Sequence, residues 1–418
     1  MKVLWLINFV PAPAADALGL PRQASGSWIP ALQNALSQLD PAPTLALAAY
    51  SPAVDQLFQQ QIAGTTYLVL PASGGKDALR QALDAFAPDL VQVFGTENQH
   101  ACWALELFGP QKTLLYIQGL AEPCAQHMAD GLPDRFLRRH PLKELLARKT
   151  GGATVRQLRQ GLLEQGQAEH RAIGMAQHIL GRTAWDRACT QAIHPGCCYH
   201  PCGEILRAPF YQGAWSPRCA QPHRIFMSQG NLPLKGLHRA IEALPGLAAR
   251  WPATQLVIAG WPPVDHGPLL RPLMHWLAEY QGYLARRAKA LGVAQRIHWL
   301  GVLDADAMKQ EFLRSGVYLL PSSIENSPNS LAEAMLLGLP CAAARVGGIP
   351  SMMQDGQEGL LFDPDAPNAL ENAVAALWAD PDRAAQLGRR AAARARADHD
   401  PQQIARGLAD LYETLNKE

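Results

Sequence analysis

The chain has 418 residues, with 37 Lys and Arg against 36 Asp and Glu, so its net charge gives no support to a nucleic-acid partner. A hydrophobic fraction of 48% and a charged fraction of 17% exclude a disordered chain and leave room for two globular domains. No run approaches the ~20 apolar residues of a membrane span, so a cytoplasmic protein is expected.

In chain order, Met1-Lys-Val-Leu-Trp-Leu-Ile-Asn-Phe-Val10 reads as a buried strand over Lys2–Phe9. Its apolar run is too short, and too soon broken by Asn8, for a signal peptide. Further strands are predicted at Thr44–Ala49, Thr66–Leu70, Leu90–Phe94, Thr113–Gln118 and His178–Gly181, with helical patterns such as Ile29–Leu39 and Lys76–Phe86 between them. Such alternation implies a parallel sheet covered on both faces.

The segment Arg135–Arg171 carries nine Lys or Arg and three acids, nine minus three giving +6, with Phe136, Leu137, Leu142, Leu145 and Leu146 interleaved. It reads either as a peripheral patch on the inner face of a membrane, near a lipid-linked acceptor, or as a solvated helical pair. Eight cysteines are present; the cluster His194-Pro-Gly-Cys197-Cys198-Tyr-His200-Pro-Cys202 lacks the paired Cys-x2-Cys spacing of zinc sites, and no metal site is assigned.

Periodicity breaks over 203–223, read as a linker between an N-terminal domain, 1–202, and a C-terminal domain, 224–395. Strands resume at Arg224–Ser228, Gln255–Ala259, Arg296–Leu300, Val317–Leu320, Cys341–Ala344 and Gly359–Phe362. Helices include Gly236–Leu244, Ala285–Leu291, Asp306–Leu313, Asn329–Leu337 and Ala366–Ala379. A terminal helix, 396–418, is a candidate to pack back on the N-terminal domain. The fold class is therefore α/β, with two doubly wound Rossmann-like domains and ligands expected beyond the carboxyl ends of the strands. Asn8-Phe-Val-Pro-Ala-Pro13 after the first strand holds no Gly-x-Gly-x-x-Gly, and no Walker lysine motif occurs, which argues against dinucleotide oxidoreduction and P-loop hydrolysis.

The sharpest motif is Pro321-Ser-Ser-Ile-Glu325-Asn-Ser-Pro-Asn-Ser-Leu-Ala-Glu333-Ala-Met-Leu-Leu-Gly338-Leu-Pro340. Ser327 suits an N-cap and Pro328 a first helical position, which leaves the amides of Asn329, Ser330 and Leu331 aimed at an anion such as a diphosphate. Glu333 is the only charge on an apolar helix, and a carboxylate there can accept two bonds from a ribose diol. As alternatives, Glu325 and Glu333 are one loop glutamate and one solvated helix glutamate.

Glu325 and Glu333, followed by Ala-Met and Gly338-Leu-Pro340, resemble the donor-binding motif of glycosyltransferase family 4. Phe226-Met-Ser-Gln-Gly230-Asn-Leu-Pro-Leu-Lys235-Gly236 is similar to that family's phosphate loop. Ile258-Ala-Gly260 resembles its next strand end, and Val346-Gly-Gly-Ile-Pro350 with Glu358-Gly-Leu-Leu-Phe362 its closing strands. The likeness covers roughly 224–380. In the N-terminal half, Ser25-Gly26-Ser27-Trp28 stands where the family places a Gly-Gly turn. Gly95-Thr-Glu97-Asn-Gln-His100, Ile117-Gln118-Gly119-Leu120 and Gly181-Arg-Thr-Ala-Trp185-Asp186 resemble a subset acting in bacterial capsule or exopolysaccharide assembly.

The resemblance implies a GT-B fold, with its two domains facing a cleft. It also implies a nucleoside-diphosphate sugar (UDP or GDP) as co-substrate, hexose transfer to a glycan or lipid-linked acceptor with retention of configuration, and no cofactor or essential metal. No Asp-x-Asp pair is placed to hold a divalent ion against a diphosphate. Lys235, Glu325 and Gln118 are the implied catalytic residues. Gly26, Ser27, Gly230, Asn231, Gly260, Asn326, Asn329, Ser330, Leu331 and Glu333 are the implied donor contacts, beside Lys235 and Glu325 themselves. Asn231 stands where the family carries an arginine, so Arg182 and Arg207 are candidate replacement cations. Gln118 stands where the family often carries a histidine, so His100 and His127 are candidate cleft histidines. A sugar-nucleotide 2-epimerase and a catalytically weak sugar-nucleotide-binding scaffold are the rival readings.

Overall fold

The computed structural model describes residues 1–22, 28–149, 152–261, 276–277 and 279–417. The chain divides into two units: Met1–Ala121, Glu164–Leu206 and His399–Glu418 form the first, and Glu122–Leu163 with Arg207–Asp398 the second.

In the first unit, β1 (Lys2–Ile7), β2 (Thr44–Ser51), β3 (Phe58–Ile62), β4 (Thr65–Pro71), β5 (Leu90–Phe94), β6 (Thr113–Tyr116), β7 (His178–Gly181) and β8 (Cys198–Pro201) form one sheet. Its order is β3-β4-β2-β1-β5-β6-β7-β8, and only β3 with β4 is antiparallel. The central strands bury both faces, which is why they read as unbroken apolar runs. Leu4, Leu6, Val91, Val93, Leu115 and Ile179 pack with helical residues such as Leu79, Leu83, Leu105 and Ile173 in the core. Sequence reading passed over the outer strands β3 and β8. Phe58-Gln-Gln-Gln-Ile62 has three exposed glutamines, so no apolar alternation marks it; it is formed by the hairpin turn at Ala63 and Gly64, both at positive φ.

In the second unit, β9 (Gln221–Met227), β10 (Gln255–Ile258), β11 (Ile297–Trp299), β12 (Ser315–Leu320), β13 (Cys341–Ala344) and β14 (Leu360–Phe362) pair in parallel in the order β11-β10-β9-β12-β13-β14. Successive strands run outward from β9 on one side and from β12 on the other. The loops leaving β9 and β12 therefore flank a topological switch point, where doubly wound sheets bind ligands.

Three boundaries depart from the sequence reading. Glu122–Leu163 lies inside the sequence of the first half yet packs in the second unit. Residues after Leu206, read as linker, are an integral part of the second unit. There Phe210 is fully buried against Phe312, and Trp215 donates its amide to the Leu337 carbonyl at 2.7 Å and its indole N–H to Ser315 at 2.8 Å. The C-terminal segment is two helices, Pro381–Asp398 and Pro401–Lys417, parted where Pro401 disfavours helix in the preceding residue. The second of them belongs to the first unit, where the Tyr412 hydroxyl accepts from Trp5 Nε1 at 3.0 Å and donates to Gln92.

Candidate functional site

The loop leaving β9 carries Gly230, Asn231 and Lys235, then closes through a short 3-10 turn, Pro233–Lys235, onto the helix Leu237–Arg250. Gly236 caps that helix at φ +69°, and a Cβ there would lie 1.9 Å from the Pro321 carbonyl oxygen. Only glycine permits both the left-handed conformation and that approach. The β9 and β12 loops are further tied by the Ser323 amide donating to the Leu234 carbonyl at 2.8 Å.

That tie brings Lys235 and Glu325 together, with Nζ donating to Oε1 at 2.7 Å. Ser322 donates to the same oxygen at 2.8 Å, and Gly348 N–H donates to the Glu325 carbonyl at 3.0 Å. Gly347 sits at φ +49°, with room for no Cβ against that carbonyl. Glu325 is thus fixed from side chain and backbone alike.

The helix Asn329–Leu337 follows. The helix has the expected bounds, but Pro328, not Ser327, is its capping residue. The Leu331 amide, expected to be free, donates to the Pro328 carbonyl at 3.0 Å; the amides of Asn329 and Ser330 precede that first bond. Ser330 Oγ accepts from Tyr318 OH at 2.7 Å, and Tyr318 lies 3.0 Å from Ser228 Oγ, which links this turn to the end of β9. Asn329 Oδ1 is buried without a hydrogen-bond partner among the described residues. Asn326 is buried in the same loop.

Glu333 is 2% exposed and is held by both nitrogens of an Arg207 fork, Nε to Oε1 at 2.6 Å and Nη2 to Oε2 at 2.7 Å. Burial pushes its carboxyl up, and Arg207 opposes that rise. This corrects the bland alternative of a solvated helix glutamate. It also corrects the expectation that Arg207 stands open as a replacement cation: its guanidinium is engaged by Glu333.

Asn231 does not stand open either. Its Nδ2 donates to the Trp261 carbonyl at 2.6 Å, and its Oδ1 lies over Gly260, where a Cβ would come within 2.5 Å. Asn231 thus clamps the β9 loop to the end of β10.

In the first unit, Arg182 pairs with buried Glu204 and donates to the Gln118 carbonyl at 2.9 Å, so it too is engaged rather than available as a replacement cation. Gln118 follows β6, and its Nε2 is buried with no partner among the described residues. His100 stacks on Tyr50 at 4.0 Å, and burial lowers its pKa to about 4, so it is neutral near pH 7. His127 lies in the second unit, against the expectation of an N-terminal residue, with Nδ1 2.6 Å from Asp130 Oδ2. Gly26 and Ser27 lie outside the described residues. Sequence reading gave no role to Ser322, Tyr318 or Ser228. Ser322, three positions before Glu325 in the same loop, offered a local signal; Tyr318 offered none, being one apolar strand residue among several.

Residues 218–394 match the glycosyl transferases group 1 family. This segment is a group 1 glycosyl transferase domain. The group 1 domain contains every residue described above in the β9 and β12 loops and in the helix after them. A GDP-mannose-dependent alpha-(1-6)-phosphatidylinositol monomannoside mannosyltransferase of Mycolicibacterium smegmatis is 32% identical over 164 residues, 38% of this chain and 39% of that protein. The chain thus aligns with well under half of the length of that curated relative. Sucrose-phosphate synthase from Thermosynechococcus elongatus superposes at a TM-score of 0.72 with 16% identity, over 99% of each chain. Anabaena HepE in complex with UDP-glucose superposes at 0.66 with 16% identity, over 99% of this chain and all of that one. These likenesses show a GT-B fold, with the group 1 domain as its second Rossmann-like half.

Proposed function

We propose that the protein transfers a hexose from a nucleoside-diphosphate sugar to a glycan or lipid-linked acceptor of a bacterial polysaccharide pathway, with retention of configuration and without a metal ion. In that reaction the bond from the anomeric carbon to the diphosphate breaks, its electron pair leaves on the phosphate oxygen, and the acceptor hydroxyl oxygen bonds the carbon and releases its proton. The observation that carries the reading is the convergence of Lys235, Glu325 and the first turn of the helix Asn329–Leu337 at the switch point between β9 and β12. A cation and outward-pointing amides at one place suit a developing diphosphate anion.

In this reading Lys235 leaves Glu325 for the diphosphate, and Glu325, still held by Ser322, accepts from sugar hydroxyls. Glu333 takes the ribose through the lone pairs that Arg207 leaves over. Gln118, whose Nε2 is without a partner among the described residues, donates to a sugar hydroxyl in this reading. Turnover of a panel of UDP-, GDP- and ADP-sugars tests the class of reaction. Lys235→Ala tests the site: losing one preorganised donor to a developing anion costs about 3–4 kcal/mol, so turnover is expected to fall by two to three decades with a smaller loss of donor affinity. Near-normal turnover would place the diphosphate elsewhere.

A further inference from the structure

Three large apolar side chains left exposed on the second unit lie close together in sequence: Leu137 at 40%, Leu142 at 59% and Leu145 at 52% exposure. A single exposed leucine is ordinary; three so close in the chain, Leu137 ending a 3-10 turn and Leu142 and Leu145 on the helix after it, are not. The helix Pro141–Lys149 turns Lys143 and Ala147 inward, while Leu142, Leu145, Arg148 and Lys149 are exposed. Positions i, i+3 and i+7 make one outward face, so leucine and cation share the side that a solvated helix would make uniformly polar. The preceding turn adds exposed Arg135, Arg138 and Arg139.

Tertiary structure sorts the wider basic run into two classes. Lys143 Nζ is buried against Glu279 at 2.7 Å, Arg156 forks onto Glu144 at 2.6 and 2.7 Å, Arg159 donates to the Ala125 carbonyl at 3.2 Å, and Arg171 donates to Gln99 at 3.0 Å. The first three tie the second unit together, and Arg171 makes an exposed contact within the first unit. Arg171 is exposed too but belongs to the first unit; the five exposed cations within 134–149, Arg135, Arg138, Arg139, Arg148 and Lys149, are the ones beside the exposed leucines, with Asp134 the one exposed acid there. Glu144, the other acid there, is held down at about 2 by Arg156 and satisfied by it. The patch is carried firmly: Phe136 meets Tyr283 edge-on at 5.4 Å, Glu279 also accepts from the Val155 amide at 3.2 Å, and the Asp130 carbonyl lies 3.0 Å from His238 Nε2.

We propose that this patch docks the protein on an anionic lipid surface, the leucines entering the headgroup–acyl boundary while the cations meet lipid phosphates. Charge complementarity chooses the occupant. A soluble polyanion would explain the cations and leave the leucines without a role; an apolar protein partner would leave the cations desolvated. An anionic bilayer surface supplies both an apolar layer and phosphate. The inference stands apart from the transfer reaction and needs no donor.

Co-sedimentation of the full chain with phosphatidylcholine vesicles, with and without phosphatidylglycerol, tests it. The wild-type protein is expected to sediment only with the anionic vesicles. Each charge removed near such a surface lowers partitioning about fivefold, so Arg138→Glu with Arg139→Glu is expected to lower it about 30-fold or more. Leu142→Ser with Leu145→Ser is expected to lower it about tenfold while every cation is kept. Lys143 is left untouched because its reversal would break a buried pair. Unchanged melting temperatures serve as the folding control, since all four substituted residues are exposed. Equal sedimentation with neutral vesicles, loss of binding only in the charge variant, or equally tight capture by soluble heparin would each overturn the proposal.

Discussion

Glu333 depends on one partner for its charge. Its side chain is 3% exposed while that of Arg207 is 22% exposed, so the two members of the pair are not equivalent. Removing Arg207 strands a carboxylate away from water, whereas removing the charge of Glu333 leaves an arginine that can still reach solvent. Arg207→Ala is therefore expected to cost about 3–5 kcal/mol of stability and Glu333→Gln clearly less. The sign with pH follows from Glu333, whose pKa is raised by burial and would rise further without Arg207. Glu333 then keeps its proton in the folded variant to higher pH than in the folded wild-type protein, so the deficit of Arg207→Ala grows as pH rises past the already raised wild-type pKa of Glu333. Melting curves of both variants between acid and neutral pH would show it; equal losses would mean that the pair carries no such asymmetry. At the reaction centre the same substitution separates roles. In the proposed reading, where Glu333 takes the ribose, Glu333→Gln is expected to weaken donor binding, because such a contact acts on ground and transition states alike.

The helix Leu237–Arg250 shows how an element is positioned from both ends of its chemistry. Its N-terminus rests on Gly236, forced by the Pro321 carbonyl, while its first turn is held by His238 between Tyr280 OH at 3.1 Å and the Asp130 carbonyl at 3.0 Å. Burial lowers the His238 pKa to about 4. Its folded value lies below the ordinary unfolded one near 6.5, so the unfolded state binds the extra proton, and stability falls as pH drops from about 6.5 toward 4. The full effect is up to about 3 kcal/mol for this group, at 1.36 kcal/mol per pKa unit. His238→Gln is expected to be less stable at neutral pH but to show a shallower loss between pH 6.5 and 4. A parallel pair of stability–pH curves would remove His238 from that account. The helix was legible from its amphipathic pattern, as were the strands that bury both faces. β3 was not, because a hairpin edge can be built from glutamines once its turn is set.

At the scale of the molecule, the chain crosses between its units more than once, so sequence order is a poor guide to membership. Glu122–Leu163 leaves the first unit after β6 and takes its place with the second through Lys143–Glu279, Phe136–Tyr283 and Asp130–His238. Metal dependence is also a property of the whole chain. Asp-x-Asp pairs do occur, at Asp304 and Asp306, Asp363 and Asp365, Asp380 and Asp382, and Asp398 and Asp400; Asp380 accepts from the Arg383 amide at 3.0 Å. Asp304 and Asp400 cap helices through the Ala307 and Gln403 amides at 2.8 Å, Asp363 accepts from the Asp365 amide at 2.9 Å, and Asp398 meets Arg394 at 3.2 Å. Their local engagement is why activity is expected to survive EDTA. Loss on chelation, restored by manganese or magnesium, would overturn the metal-free mechanism.

The linear sequence determined whatever a few neighbouring residues can decide alone. Apolar runs specify strands, glycine permits the turn at Gly236, and the Pro328-to-Gly338 stretch specifies a short helix, because each answers to local sterics and periodicity. Tertiary structure decided which charges meet. Arg207 and Glu333 are 126 positions apart, Lys235 and Glu325 are 90 apart, and Lys143 and Glu279 are 136 apart. An ion pair leaves no spacing in sequence, since its geometry is set by strand order and loop closure. For the same reason, sequence could count the cations of Arg135–Arg171 but could not tell those that tie the fold together from those that face outward.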